Sequence, residues 1–105
     1  MTTPDQVLST LSRHIGKTNG IPVKQLSIAI GVNARAVRRH VSQLREDGYA
    51  VCGTPQTGYY MAETAEDLEE TCQFLRGRAM HSLTLESRLR KIPLLDLLGQ
   101  IHLRT

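Results

Sequence analysis

The chain is 105 residues long, one domain's worth, with hydrophobic residues at 40% and charged residues at 22%. That balance supports one modest core and excludes a disordered polyelectrolyte, and no apolar run approaches the length of a membrane span. The net charge of +3 is a weak pointer to a polyanion, but its distribution is sharper: Arg35 to Arg45 holds four arginines and no acid, and Glu63 to Glu70 holds five acids and no base.

The amino-terminal stretch lacks the basic start and apolar run of a secretory signal, so the chain reads as cytoplasmic. Cys52 and Cys72 form no CxxC pair, and no His–Cys spacing suits zinc. They read as buried or half-buried thiols. His14, His81 and His102 are scattered, and no metal, cofactor or small-molecule ligand is expected.

A first helix is expected over residues 4–16. Thr3 caps it, Pro4 suits its first turn, and Val7, Leu8, Leu11 and Ile15 recur at helical spacing. Gly20-Ile21-Pro22 reads as a short extended piece, because a residue before proline avoids the helical region. A second helix runs from Pro22 or Val23 to Ile30, with Val23, Leu26 and Ile30 on one face and Gly31 as its stop. Asn33 caps a third helix that reaches about Asp47, where Gly48 closes it. Tyr49–Gly53 and Gly58–Ala62 read as the two strands of a hairpin with its turn at Thr54-Pro55-Gln56-Thr57. On the return strand, Tyr59 and Met61 share a face expected to cover the core, with Tyr60 pointing away as a surface tyrosine, the alternatives being contact with DNA, a partner or the long helix. Thr64 followed by Asp67 looks like a capping box with Asp in place of Glu. A long helix follows to about Lys91, and Pro93 separates it from a short apolar segment, Leu94–Leu103, expected to be helical.

The fold class is therefore mainly α with a small β-hairpin: a winged helix-turn-helix over residues 1–63, then a helical extension over residues 64–105. Val23–Tyr49 carries the functional signal. A helix-turn-helix needs a short helix, a tight turn and a second helix with a polar outer face. Gly31 supplies the turn, and Val32 fills the angle between the helices. With Val37 as the inward direction, Val41 and Leu44 lie within about 40° of it, and Arg35, Arg39 and Ser42 lie opposite, with Arg38 at the edge. Asn33, Arg35, Arg38, Arg39 and Ser42 make a face suited to a major groove, where arginine pairs with guanine and asparagine with adenine. The same groups also hold phosphate, and sequence does not divide these roles. Lys24 on the second helix joins the expected DNA set, as do Thr54, Gln56 and Thr57 at a wing tip without cations. The plainer reading of this helix, a solvated surface with incidental arginines, is disfavoured by the absence of nearby acids. His40 reads as a structural histidine, since no carboxylate or nucleophile stands at a sensible spacing, and no catalytic constellation is present.

GVNARAVRRHVSQLREDGY, followed by a hairpin ending in GYYMA, resembles the winged-helix domain of the biotin-operon repressor, with Gly31, Val37, His40, Val41, Leu44, Gly48 and Gly58-Tyr59 at matching places. It is also similar to small winged-helix proteins of phages and prophages. The resemblance covers roughly Val7–Ala62 and implies DNA contact from Asn33, Arg35, Arg38, Arg39 and Ser42. It stops at the hairpin, which leaves no room for a ligase domain.

The long helix carries more apolar residues than one thin face hides. Leu68, Leu75, Leu83, Leu85 and Leu89, with Leu94, Leu95 and Leu98 beyond Pro93, are expected to form a homodimer interface. The alternative is a segment folded back within the monomer. The expected function is sequence-specific binding of double-stranded DNA by a transcriptional regulator of a phage or prophage. A rival is a replication or recombination accessory factor that recruits a partner through its carboxy-terminal segment, where Gln100-Ile101-His102-Leu103 loosely resembles sliding-clamp peptides. A third is a pure protein-interaction module, which the arginine face argues against.

Overall fold

Thr3 opens the first helix by donating its backbone N–H to Gln6 Oε1 at 3.0 Å. The structure, a computed structural model, describes residues 3–104, with side chains over residues 3–101. The elements are α1 (Pro4–Leu11), a 3-10 turn (Lys17–Asn19), α2 (Val23–Ile30), α3 (Ala34–Glu46), β1 (Val51–Thr54), β2 (Gly58–Met61), α4 (Ala65–Arg90) and α5 (Leu94–Arg104). They divide into two compact units, Met1–Thr71 and Cys72–Thr105, with α4 running through the boundary.

In the first unit, α1 and α2 both pack on α3. The core is Val7, Leu11, Ile21, Leu26, Val37, Val41, Leu44 and Val51, with Leu8, Val23, Ile30, Val32, Tyr59 and Met61 closing its edge. Burial of each such side chain contributes about 1.5–3 kcal/mol, so α3, which supplies three of them, is the central element. Helix ends follow local chemistry. Gly48, at φ 92, lets the N–H of Tyr49 reach Leu44 O and its own N–H reach Arg45 O, a Schellman stop for α3. The Thr64–Asp67 capping box is present in both directions: Asp67 N–H donates to Thr64 Oγ1 at 3.1 Å, and Asp67 Oδ2 accepts from the N–H of Thr64.

Three sequence expectations are corrected. Helix α1 ends at Leu11, not residue 16, because the following chain is drawn into pairing with β2. Met61 N–H donates to His14 O and Gly16 N–H donates to Met61 O, leaving Ile15 48% exposed, outside the core stripe. The first strand begins at Val51, since the Tyr49 N–H is taken up by the exit from α3, and Ala50 meets the hairpin only through its carbonyl, which accepts the Ala62 N–H. Third, Tyr60 does not point to solvent; it is 1% exposed.

The burial of Tyr60 reveals a hairpin covered on both faces. Strands β1 and β2 pair antiparallel, with Cys52 opposite Tyr60 and Val51 opposite Met61. Val51, Tyr59 and Met61 face the helical core, while Cys52 and Tyr60 are buried on the other side. There Thr71, buried at the end of the first unit's share of α4, accepts the Gly53 N–H at 3.1 Å and hydrogen-bonds Tyr60. Burial pushes the Tyr60 phenol above its ordinary range, against the opposing pull of that hydrogen bond. The outer edge of β2 is closed by Ile21, which exchanges two backbone hydrogen bonds of 2.8 Å with Tyr59. Only glycine fits at 58, where φ is 74 and a β-carbon would stand 2.6 Å from the Ile21 carbonyl. Of the two thiols expected to be buried or half-buried, Cys52 is buried, but Cys72 is exposed, a further correction.

Among the described residues of the second unit, Ser87 and Leu97 are buried, and Leu83, Leu94 and Leu98 are half-buried. Helix α4 ends in a second Schellman motif: Ile92 N–H reaches Ser87 O, and Lys91 N–H reaches Arg88 O. Here the left-handed position is held by Lys91, at φ 57, immediately before the Ile92-Pro93 step that separates the helices.

Two outcomes follow. Thr71→Val keeps the side-chain volume but leaves the Gly53 N–H buried without a partner, and denaturant unfolding should show a loss of about 1–3 kcal/mol. Lys91→Gly relieves a left-handed lysine and should raise stability by about 1 kcal/mol, read from helix melting by circular dichroism.

Candidate nucleic-acid interface

The buried stripe of α3 fixes where its polar residues go. Val37, Val41 and Leu44 face the core, and Arg35, Arg38, Arg39 and Ser42 are all exposed. No acceptor engages these three guanidinium groups among the described residues, whose two ion pairs are Lys17–Glu70 and Arg90–Glu86. Three uncompensated cations within five positions therefore sit on one turn and a half of helix, with donors geometrically able to pair with guanine edges or phosphate. Lys24 is exposed in the first turn of α2, and Ile28 on the same helix is 73% exposed.

Other residues of the expected set are less free. Asn33 is exposed, but its Oδ1 accepts the Ala36 N–H at 2.8 Å as the α3 cap. That bond competes with two-point pairing to adenine, which needs the same oxygen. At the wing tip the threonines serve the turn. Thr54 N–H donates to Thr57 Oγ1 at 2.9 Å, and Thr57 Oγ1 donates to Gly58 O at 3.0 Å. Gln56 is the exposed polar side chain of that tip.

Sequence reasoning grouped Arg45 with the arginine cluster without seeing its task. Its Nε donates to Val51 O at 2.8 Å, tying the end of α3 to the start of β1, so this guanidinium turns inward. Its Nη2 is buried without a partner among the described residues. The signal was present only as spacing, six positions from a strand residue, and nothing local distinguishes it from Arg39. His40 is half-buried at the edge of the core stripe. The described residues contain no group of three or more His, Cys, Asp or Glu able to hold a metal ion, and no helix among them is long and apolar enough to cross a membrane.

Two acids of the stretch Glu63–Glu70 meet the loop after α1. Lys17 pairs with Glu70 at 2.8 Å, an exposed contact that raises the Lys17 ammonium above its usual value through the hydrogen bond and charge of Glu70. Glu63 lies against Gly16. These acids flank the loop after α1 and serve the unit's own structure.

The dual role of Asn33 is separable. Asn33→Ala should cost about 1 kcal/mol of stability, whereas Asn33→Asp, which keeps a capping oxygen, should stay within a few tenths, both measured by chemical denaturation.

Three helices with a glycine turn between the second and third, a hairpin laid beside them and an exposed cationic face on the third helix are the parts of a winged helix-turn-helix. A sequence profile of the HTH domain matches residues 8–60, from α1 to the penultimate residue of β2. No curated protein and no solved structure matches the chain. The matched span takes in the end of α1, all of α2 and α3 and nearly all of the hairpin, half of the chain, and the chain belongs to the helix-turn-helix domain family of DNA-binding proteins.

Proposed function

We propose that this protein is a sequence-specific regulator of transcription that binds double-stranded DNA, with α3 in the major groove and the wing on the backbone. The observation that carries the reading is the row of exposed, acceptor-free arginines opposite the buried stripe of α3. Arg35, Arg38, Arg39 and Ser42 form the reading face, Lys24 holds phosphate, and Gln56 is the wing's contact. Asn33 orients the helix start. The similarity of GVNARAVRRHVSQLREDGY and the following hairpin to the biotin-operon repressor and to small phage and prophage proteins supports a regulator of phage or prophage origin.

A single α3 offers few base contacts, and a cation-free wing adds little electrostatic attraction. Two copies joined through the carboxy-terminal helices supply two reading helices for a two-fold symmetric site. The leucines left exposed there support that pairing. The clamp-like tail Gln100-Ile101-His102-Leu103 lies partly outside the residues whose side chains are described.

The test is a binding titration against a site selected from random DNA. Arg35→Ala with Arg39→Ala should weaken binding by about tenfold or more and lower the salt slope by about 2 for each bound subunit, while the circular dichroism spectrum stays unchanged. Equal affinity and equal slope in this variant would remove the assignment.

A further inference from the structure

We infer that a second copy of this chain covers one seam of α4, with the two helices antiparallel; the inference deepens the reading of the carboxy-terminal helices as the pairing element. Helix α4 leaves four large apolar side chains exposed: Leu68 at 45%, Leu75 at 39%, Leu85 at 46% and Leu89 at 84%. Together with Thr71, Arg78 and Ser82 they fall in the series 68, 71, 75, 78, 82, 85, 89, whose steps alternate between three and four. This is the a/d seam of a heptad repeat, the pattern that matches one helix to another helix. Thr71 is taken up by the hairpin, so the open seam runs from Leu75 to Leu89, about 21 Å of helix.

A hollow borders the seam. Phe74, Gly77, Arg78 and His81 outline it with Ser82. The first four stand at i, i+3, i+4 and i+7, the diamond that receives a knob side chain in coiled-coil packing. Gly77 lines it, with open space where a β-carbon would stand. Glycine inside an exposed helix costs about 1 kcal/mol relative to alanine, and close approach of a second helix gives it a use. Along one side the Arg78 guanidinium lies 5.8 Å from the centre of the Phe74 ring.

Charge sets the direction. The start of α4 carries Glu66, Asp67, Glu69 and Glu70 without a base, and its end carries Arg88, Arg90 and then Lys91 without an acid after Glu86. Parallel helices would set acid beside acid and base beside base. Antiparallel helices set each acidic start beside the other copy's basic end, twice, as a two-fold contact requires. One register also matches the seam by polarity. Leu75 meets Leu85 of the other copy, Arg78 meets its Ser82, and Glu70 stands near its Arg90. Leucine layers then flank a polar centre that fixes the alignment.

The experiment is sedimentation of the full chain without DNA. The wild type should have the mass of two chains at micromolar concentration, and Leu85→Glu, at an exposed position, should halve that mass with helix content retained. Arg88→Glu with Arg90→Glu should weaken the dimer at least several-fold at low salt. In a Cys72→Ser background, Leu75→Cys plus Leu85→Cys should oxidise to a covalent dimer, and neither single cysteine should. A monomer at every concentration, a dimer indifferent to Leu85→Glu, or cross-linking by Leu75→Cys alone would overturn the inference; the last would mean a parallel pair. Because no DNA is present, such a failure is separate from failure of the arginine variant to lose DNA binding.

Discussion

The one-sided burial of α3 governs this molecule. Val37, Val41 and Leu44 are essentially inaccessible and meet residues from α1, α2 and β1. Once they are in place, helical geometry leaves Arg35, Arg38 and Arg39 no choice but the outer surface. The hydrophobic core and the cationic face are thus one decision. A single-residue slip in the stripe would turn an arginine inward, where an unpaired guanidinium is costly. Arg45, in the last turn of the same helix, does turn inward, and it is tolerated there because the Val51 carbonyl accepts its Nε–H.

The hairpin depends on α3 on one side and on α4 on the other. Its core-facing residues, Val51, Tyr59 and Met61, close the helical bundle, while Cys52 and Tyr60 are buried behind it. The Thr71 hydroxyl satisfies the Gly53 N–H that an antiparallel pair of two short strands leaves open, and Ile21 closes the far edge. A two-stranded ribbon is marginal alone, and these three anchors supply the remaining order.

Legibility in the sequence tracks how local the cause is. The α3 face, the Gly31 and Gly48 stops and the Thr64–Asp67 box were readable because periodicity and caps act within a few residues. The early end of α1 was not, since Ile15 leaves the helix to pair with Met61, far along the chain. Alternation on β2 separated Tyr60 from Tyr59 and Met61 correctly but could not say that both faces would be covered. In the candidate interface, the exposed arginines followed from the same periodicity. The commitments of Asn33, Thr54 and Thr57 to cap and turn followed from bonds that compete with ligand contact. On α4, Leu68, Leu75, Leu85 and Leu89 were legible as apolar surface beyond one thin face, but the helix carries apolar residues on several sides, and only exposure separates these four from the half-buried Leu83.

The wing tip closes its own hydrogen bonds and carries no charge. A neutral surface laid on DNA displaces no condensed cations, so its share of an interaction is blind to ionic strength, whereas that of α3 fades as salt rises. In the proposed complex the two contacts therefore respond to different physical variables: the helix to the ionic atmosphere of the duplex, and the ribbon to the shape and hydration of the backbone it lies on.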